Sequence, residues 1–209
     1  FGNPEILKFG LQIILIVVTG EAIAASPPAS RLLARLTSLP STASQALLMV
    51  TAFAIVTGWV HWGFGLVSSA LLAREVGRSL KAKGVSIHYP LLGAGAYTSM
   101  LLWHAGLTAS APLLMNTEKN FVSEVLGLKG PAAKVPLSQT ILAPSNLIAC
   151  LLILLIVPWI MVSLHPSHDV ENSVPETRTI AEEATPEHPT VAARLDRGAA
   201  GRDRRARAR

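Results

Sequence analysis

Residues 58–65 read GWVHWGFG and lie in the middle of a long apolar run, 46–73. Trp59 and Trp62 flank His61, with Gly58, Gly63 and Gly65 around them. A glycine weakens a helix interior by about 1 kcal/mol relative to alanine. An ionisable ring is expensive in hydrocarbon. The run is also longer than the ~20 residues that one straight membrane span needs. A helix broken at this point is therefore expected. Such a break survives at membrane depth only where the freed backbone groups find protein or water.

The rest of the chain agrees with a bilayer as solvent. Of 209 residues, 50% are hydrophobic and 15% charged, with a mean hydropathy of +0.44. Soluble domains carry about 25% charged residues. The apolar residues fall in four blocks, 9–25, 46–73, 91–115 and 141–164. None shows the period-two alternation of a transmembrane strand, so an all-α, polytopic membrane fold is expected and a β-barrel is not. The membrane domain is read as 1–165 and a polar, largely disordered linker or tail as 166–209, where prolines and charges replace the apolar blocks.

The net charge of +5 does not point to nucleic acid. Seven arginines fall within 192–209, and most other cations sit in short stretches between apolar blocks. The stretch 74–89, with Arg74, Arg78, Lys81 and Lys83 against Glu75, reads as the densest basic loop and the cytoplasmic side. Between the first two blocks, Pro27 and Pro28 suit a helix start. Leu32, Leu33 and Leu36 lie on one side, and Arg31 and Arg35 repeat at i, i+4, as in an amphipathic surface helix. A short helix is expected in NFVSEVLGL. A single cysteine, Cys150, excludes an internal disulfide and reads as a small buried or lipid-facing residue. His165 and His168 read as a surface pair. No cofactor or metal motif and no enzyme template is present: there is no phosphate loop, no Cys/His ligand spacing and no G-x-S-x-G.

Polar groups within apolar blocks are the candidates for function. Glu21 follows Thr19 and Gly20 and reads either as an ion or proton site, with His61 a possible partner, or as a hydrated residue at the membrane surface. In 58–65, an unwound stretch would offer a helix N-terminus and bare amides to an anion such as a carboxylate. Trp59 and Trp62 would wall the site, and His61 would donate a hydrogen bond or carry a proton. The competing reading is an aromatic belt with glycines for close helix packing. A second stretch, WHAGLTASAPLL, repeats the pattern with Trp103, His104, Gly106, Thr108, Ser110 and Pro112. It reads as another broken helix or as a helix end at the interface.

Four motifs in order, FGLQIILIVVTGEAIAASPP, WVHWGFGLVSSALLAREVGR, YPLLGAGAY and LLWHAGLTASAPLL, resemble those of the AtoE-type short-chain fatty acid transporters. The resemblance covers roughly residues 1–197 and is most specific over 59–78. It implies a bacterial inner-membrane, multi-pass carrier of short-chain fatty acid anions such as butyrate or acetoacetate, built from two inverted repeats. A coupling proton or sodium ion is a possible partner. By that analogy the chain is one repeat half with broken or re-entrant helices, and HWGFG belongs to a re-entrant hairpin whose glycines admit a carboxylate. The implied substrate-binding residues are Trp59, His61, Trp62, Gly63, Gly65, His104, Gly106 and Ser110.

The resemblance also implies asparagine, more often than histidine, at the position of His61, and a second repeat that this chain lacks. The sequence opens on Phe1 without a methionine, its first residues do not read as a signal peptide, and it reads as entered partway through. Its end, GAAGRDRRARAR, reads as a frameshift or truncation in a GC-rich genome, or else as a basic tail for anionic lipid. A homodimer or association with a missing half would cover the exposed repeat interface. The alternative to a carrier is a non-transporting membrane scaffold or an inactive gene remnant.

Overall fold

The computed structural model describes residues 4–24, 26–118, 120–127 and 130–166. These residues are helical, with no strand among them. Apart from Pro166, the expected polar tail lies outside the described residues.

Helix α1 spans Pro4–Ala24, and α2 spans Pro27–Ser38, starting on two prolines behind Ser26. Proline suits this position because its missing amide would be unpaired there anyway. Leu33 and Leu36 of α2 pack on the core while Arg31 and Arg35 are exposed, giving the amphipathic helix read from the sequence. Leu32, expected on the apolar side, is exposed.

The apolar run 46–73 is not one rod. Helix α3, Ala43–Val60, ends at His61, and α4, Trp62–Ala82, starts one residue later. The two run back to back. Ala46, Leu47 and Val50 of α3 share a buried cluster with Leu72, Ala73, Val76 and Leu80 of α4. Lys83, just beyond α4, donates from Nζ to the carbonyls of Ser38 (3.1 Å) and Pro40 (2.9 Å), next to the start of α3. Thr42 caps α3 by accepting from the Gln45 amide at 3.2 Å. The helix break therefore falls at His61, two residues ahead of the expected glycines, and it reverses the chain. Arg74 and Arg78, expected in a loop, lie within α4 and both bond Glu75, at 3.1 and 3.2 Å. The turn follows at Gly84, whose φ of +71 favours glycine.

Helix α5, Tyr89–Tyr97, continues as a 3-10 helix, Thr98–Ala105. With nine α residues at ~1.5 Å and eight 3-10 residues at ~2.0 Å each, the pair reaches about 30 Å, close to a hydrocarbon core. Gly106 is extended, and α6, Ser110–Met115, follows. Helix α7, Phe121–Leu126, is the short helix expected in that stretch. It is fixed by buried Asn120, whose amide donates to the carbonyls of Met115, Thr117 and Ala133 at 3.2, 2.7 and 2.7 Å.

Helix α8, Pro144–Ser163, presents Leu147, Ile148, Leu151, Leu152, Leu155, Ile156, Trp159 and Ile160 outward. Asn146 ties its start to the 3-10 helix by donating to the carbonyl of Ala105 at 3.0 Å. His165, beyond its other end, accepts at Nε2 from the His88 amide at 3.3 Å. His165 is thus half-buried and pinned to the start of α5, not a plain surface residue. His168 lies outside the described residues.

These ties define two ends. Elements α3, α4, α5 with its 3-10 extension, and α8 alternate in direction. Pro40, Lys83, His88 and His165 gather at one end, and His61, Gly106 and Asn146 at the other. Helices α3 and α8 are long and apolar enough to cross a membrane. The bent pair Gly10–Ala24 and Pro27–Ser38, at 66°, would make a third span if taken together.

Candidate functional site

The end of a helix leaves carbonyls without partners and the start of one leaves amides without partners. The break at His61 creates both within one turn. His61 is extended (φ −156, ψ 105) and donates its own amide to Thr57 O at 2.8 Å. Its carbonyl accepts from the Gly65 amide at 2.8 Å, and its ring Nδ1 accepts from the Phe64 amide at 3.1 Å. The second break supplies the remaining partners. The Leu107 amide donates to Trp59 O at 2.8 Å, and the Thr108 hydroxyl accepts from the Trp62 amide at 3.2 Å. Each unwound stretch supplies partners that the other lacks. The two Trp/His/Gly stretches separated in sequence thus form one tip.

The glycines allow the close approach. A Cβ on Gly65 would stand 2.5 Å from Gly58 N. One on Gly63 would stand 2.8 Å from Ile16 O, and one on Gly20 would stand 2.5 Å from both Gly63 C and Phe64 N. Gly58 lies against the Ser99 backbone and Gly106 against the Trp59 backbone. The space expected to admit a carboxylate at Gly63 and Gly65 is occupied by α1 and α3. These glycines pack helices, the reading that stood beside the functional one.

Other donors at the tip are left over. Among the described residues the Gly63 amide has no hydrogen-bond partner. The indole N–H groups of Trp62 and Trp103 are buried and also lack partners, whereas Trp59 turns to α8 and packs beside the Cys150 thiol. Trp62 is 4% exposed, and its ring lies 5.1 Å from that of Trp103, centroid to centroid. Trp103 in turn stacks on His104 at 4.7 Å. A buried donor without a partner costs about 1–3 kcal/mol.

Of the residues expected at a site, Trp59, His61, Trp62, Gly63, Gly65 and Gly106 meet at the tip. His104 joins them through Trp103 but is exposed. Ser110 begins α6, half-buried, behind Ala109, whose side chain makes no capping bond. Glu21 is exposed on α1, one residue past the Gly20 contact, with no hydrogen bond or ion pair to His61. Trp103 and Thr108 bear more of the geometry than their place in the sequence implied. Ser99, Thr51 and Ser69 carry buried hydroxyls without partners deeper in the bundle. Their signal was a hydroxyl inside an apolar helix, which is too common to single them out.

Comparison with known proteins bears on what this tip belongs to. A protein of Escherichia coli K12, provisionally named as a short-chain fatty acid transporter, is 36% identical over 165 residues, 79% of this chain and 35% of its own length. A protein of Haemophilus influenzae Rd with the same provisional name is 32% identical over 199 residues, 95% of this chain and 42% of its own. The chain therefore spans less than half the length of these curated relatives. No solved structure matches it. Residues 2–199 match the family described as short chain fatty acid transporter, a family of transporters and not of enzymes. The chain belongs to this family.

Proposed function

We propose that the chain is part of a carrier for short-chain fatty acid anions such as butyrate or acetoacetate, and that the tip around His61 binds the carboxylate. The observation that carries this reading is the set of donors without partners beside the two breaks, the Gly63 amide and the indoles of the neighbouring pair Trp62 and Trp103. A carboxylate accepts several hydrogen bonds, and each one to a charged group contributes about 1.5–3 kcal/mol. The N-terminus of α4 adds a partial positive charge. The indole faces give a short alkyl chain an apolar wall. His104 and Ser110 lie at the margin of the site.

The chain then acts as one repeat half of a secondary carrier in a bacterial inner membrane, crossing it several times. A homodimer or a second half covers the outward apolar faces of α1 and α8, and a proton or sodium ion is coupled to transport. A non-transporting scaffold is favoured by one observation, the filling of the Gly63 and Gly65 spaces by helix backbone.

Equilibrium binding of labelled butyrate to the chain in lipid nanodiscs decides between them. Saturable binding is expected. The double substitution Trp62→Phe and Trp103→Phe, which keeps aromatic rings and removes two donors, is expected to abolish it. Absence of binding, or binding unchanged in the double variant, removes the carboxylate reading.

A further inference from the structure

We propose that the Lys83 end of the bundle is a binding surface for the headgroups of anionic phospholipids. The fold gathers the cations there. Lys83 holds the carbonyls of Ser38 and Pro40, so the last turns of α2 and α4 meet. Arg31 and Arg35 arrive on α2, and Arg74, Arg78 and Lys81 on α4. Residues 26–42 and 74–90 together hold six lysines and arginines against one acid, Glu75. The connection 107–143, which leaves from the other end, holds three lysines against two glutamates, and its Lys134 pairs with Glu118 at 3.2 Å. The excess of positive charge therefore belongs to one end.

Capping the helices does not account for it. A helix C-terminus favours a cation within its last turn. Arg31 and Arg74 stand about two turns back from the ends of their helices. Internal pairing does not account for it either. Glu75 takes Arg74 and Arg78 through a single oxygen, Oε1, at 3.1 and 3.2 Å, so one negative charge is shared between two guanidinium groups. Arg31 donates from Nε to the carbonyl of Pro27 at 3.1 Å, and a guanidinium has five N–H donors. Both α2 arginines are exposed.

The neighbours of these cations separate a lipid from a dissolved anion. Leu32 and Leu39 of the same short helix are 48% and 66% exposed. Trp159, 65% exposed, stands four residues, about 6 Å, short of the end of α8, as Arg78 does on α4. An exposed tryptophan near the end of a span marks headgroup level. Arginines interleaved with exposed leucines suit a phosphate with acyl chains below it, whereas a dissolved anion leaves the leucines in water. Anionic headgroups attract basic clusters at the membrane surface. This surface is separate from the tip and does not depend on the carboxylate reading.

The test compares spin-labelled phosphatidylglycerol with spin-labelled phosphatidylcholine as the motionally restricted lipid around the full chain in phosphatidylcholine bilayers. A preference of about fivefold for phosphatidylglycerol is expected at low salt, the effect of a single nearby cation. In about 1 M salt, where charges are screened beyond about 3 Å, the preference should approach unity. Arg31→Gln combined with Arg35→Gln is expected to remove most of it. Lysine at both positions should keep it, and Lys134→Gln should leave it unchanged. Equal association of the two lipids with the unsubstituted chain, or a preference indifferent to salt, overturns the proposal. A preference that survives the double glutamine variant also overturns it, by moving the lipid to other cations such as those of 192–209. Displacement of phosphatidylglycerol by millimolar glycerol phosphate overturns the lipid in favour of a soluble anion.

Discussion

The two ends of the bundle use the same chemistry to opposite effect. At the Lys83 end, loose backbone groups are closed. Lys83 takes two carbonyls at the start of α3, the His88 ring accepts from the Leu91 amide, and His165 takes the His88 amide. At the His61 end the mutual repair of two breaks stops short, leaving the Gly63 amide and the Trp62 and Trp103 indoles over. Histidine serves as an acceptor at both ends, so the residue type does not separate fold from function. The difference lies in what is left unpaired. A satisfied end fixes the bundle, and an end with spare buried donors has a use for an acceptor.

The hardest blow to this contrast comes from the glycines, which belong to the fold even at the functional end. Gly65→Leu is expected to prevent the α3–α4 hairpin from closing, with a loss of at least about 3 kcal/mol from overpacking against backbone. Folded, monodisperse protein in detergent, followed by size exclusion, should nearly disappear. A normal yield with lost butyrate binding would mean instead that Gly65 faces a ligand.

Next in size is Trp62→Phe. Removing one donor to an anion is expected to weaken butyrate binding by about 2 kcal/mol, roughly thirtyfold, while the yield holds. Equal binding would shift the site to Trp103. Thr108→Val leaves the Trp62 amide without its partner and should reduce thermal stability by about 1–2 kcal/mol. Lys83→Met is the smallest change, below about 1 kcal/mol in stability, because the ammonium is exposed, and butyrate binding should be unaffected. An effect of Lys83→Met on binding would show that the two ends are coupled and would blunt the contrast between them.

Much of this was written in the chain. The apolar blocks and the absence of alternation announce an all-helical membrane fold. Gly106 and the hydroxyls after it mark the second break, and Asn120 marks the start of α7. The pairing of GWVHWGFG with WHAGLTASAPLL was suggested by their shared Trp, His and Gly content. Less legible was the job of each residue. His61 reads from sequence as a proton carrier or donor, and in the structure its Nδ1 is an acceptor. Gly63 and Gly65 read as an opening for a ligand, and in the structure their open sides are filled.

The physical reason is a difference in range. Hydropathy and helix propensity are properties of neighbouring residues, and by themselves they determined the helices, the weak points and the solvent in which the chain folds. Reversal at His61 depends on Gly58 meeting Gly65 and on Leu107 and Thr108 arriving, some 46 residues later, to take the bonds that the break sets free. No local property encodes which helix will occupy the space beside a glycine, or which amide a ring nitrogen will accept from. Tertiary packing decided these points, because in lipid it is close backbone approach and hydrogen-bond closure, more than apolar burial, that choose among helix arrangements.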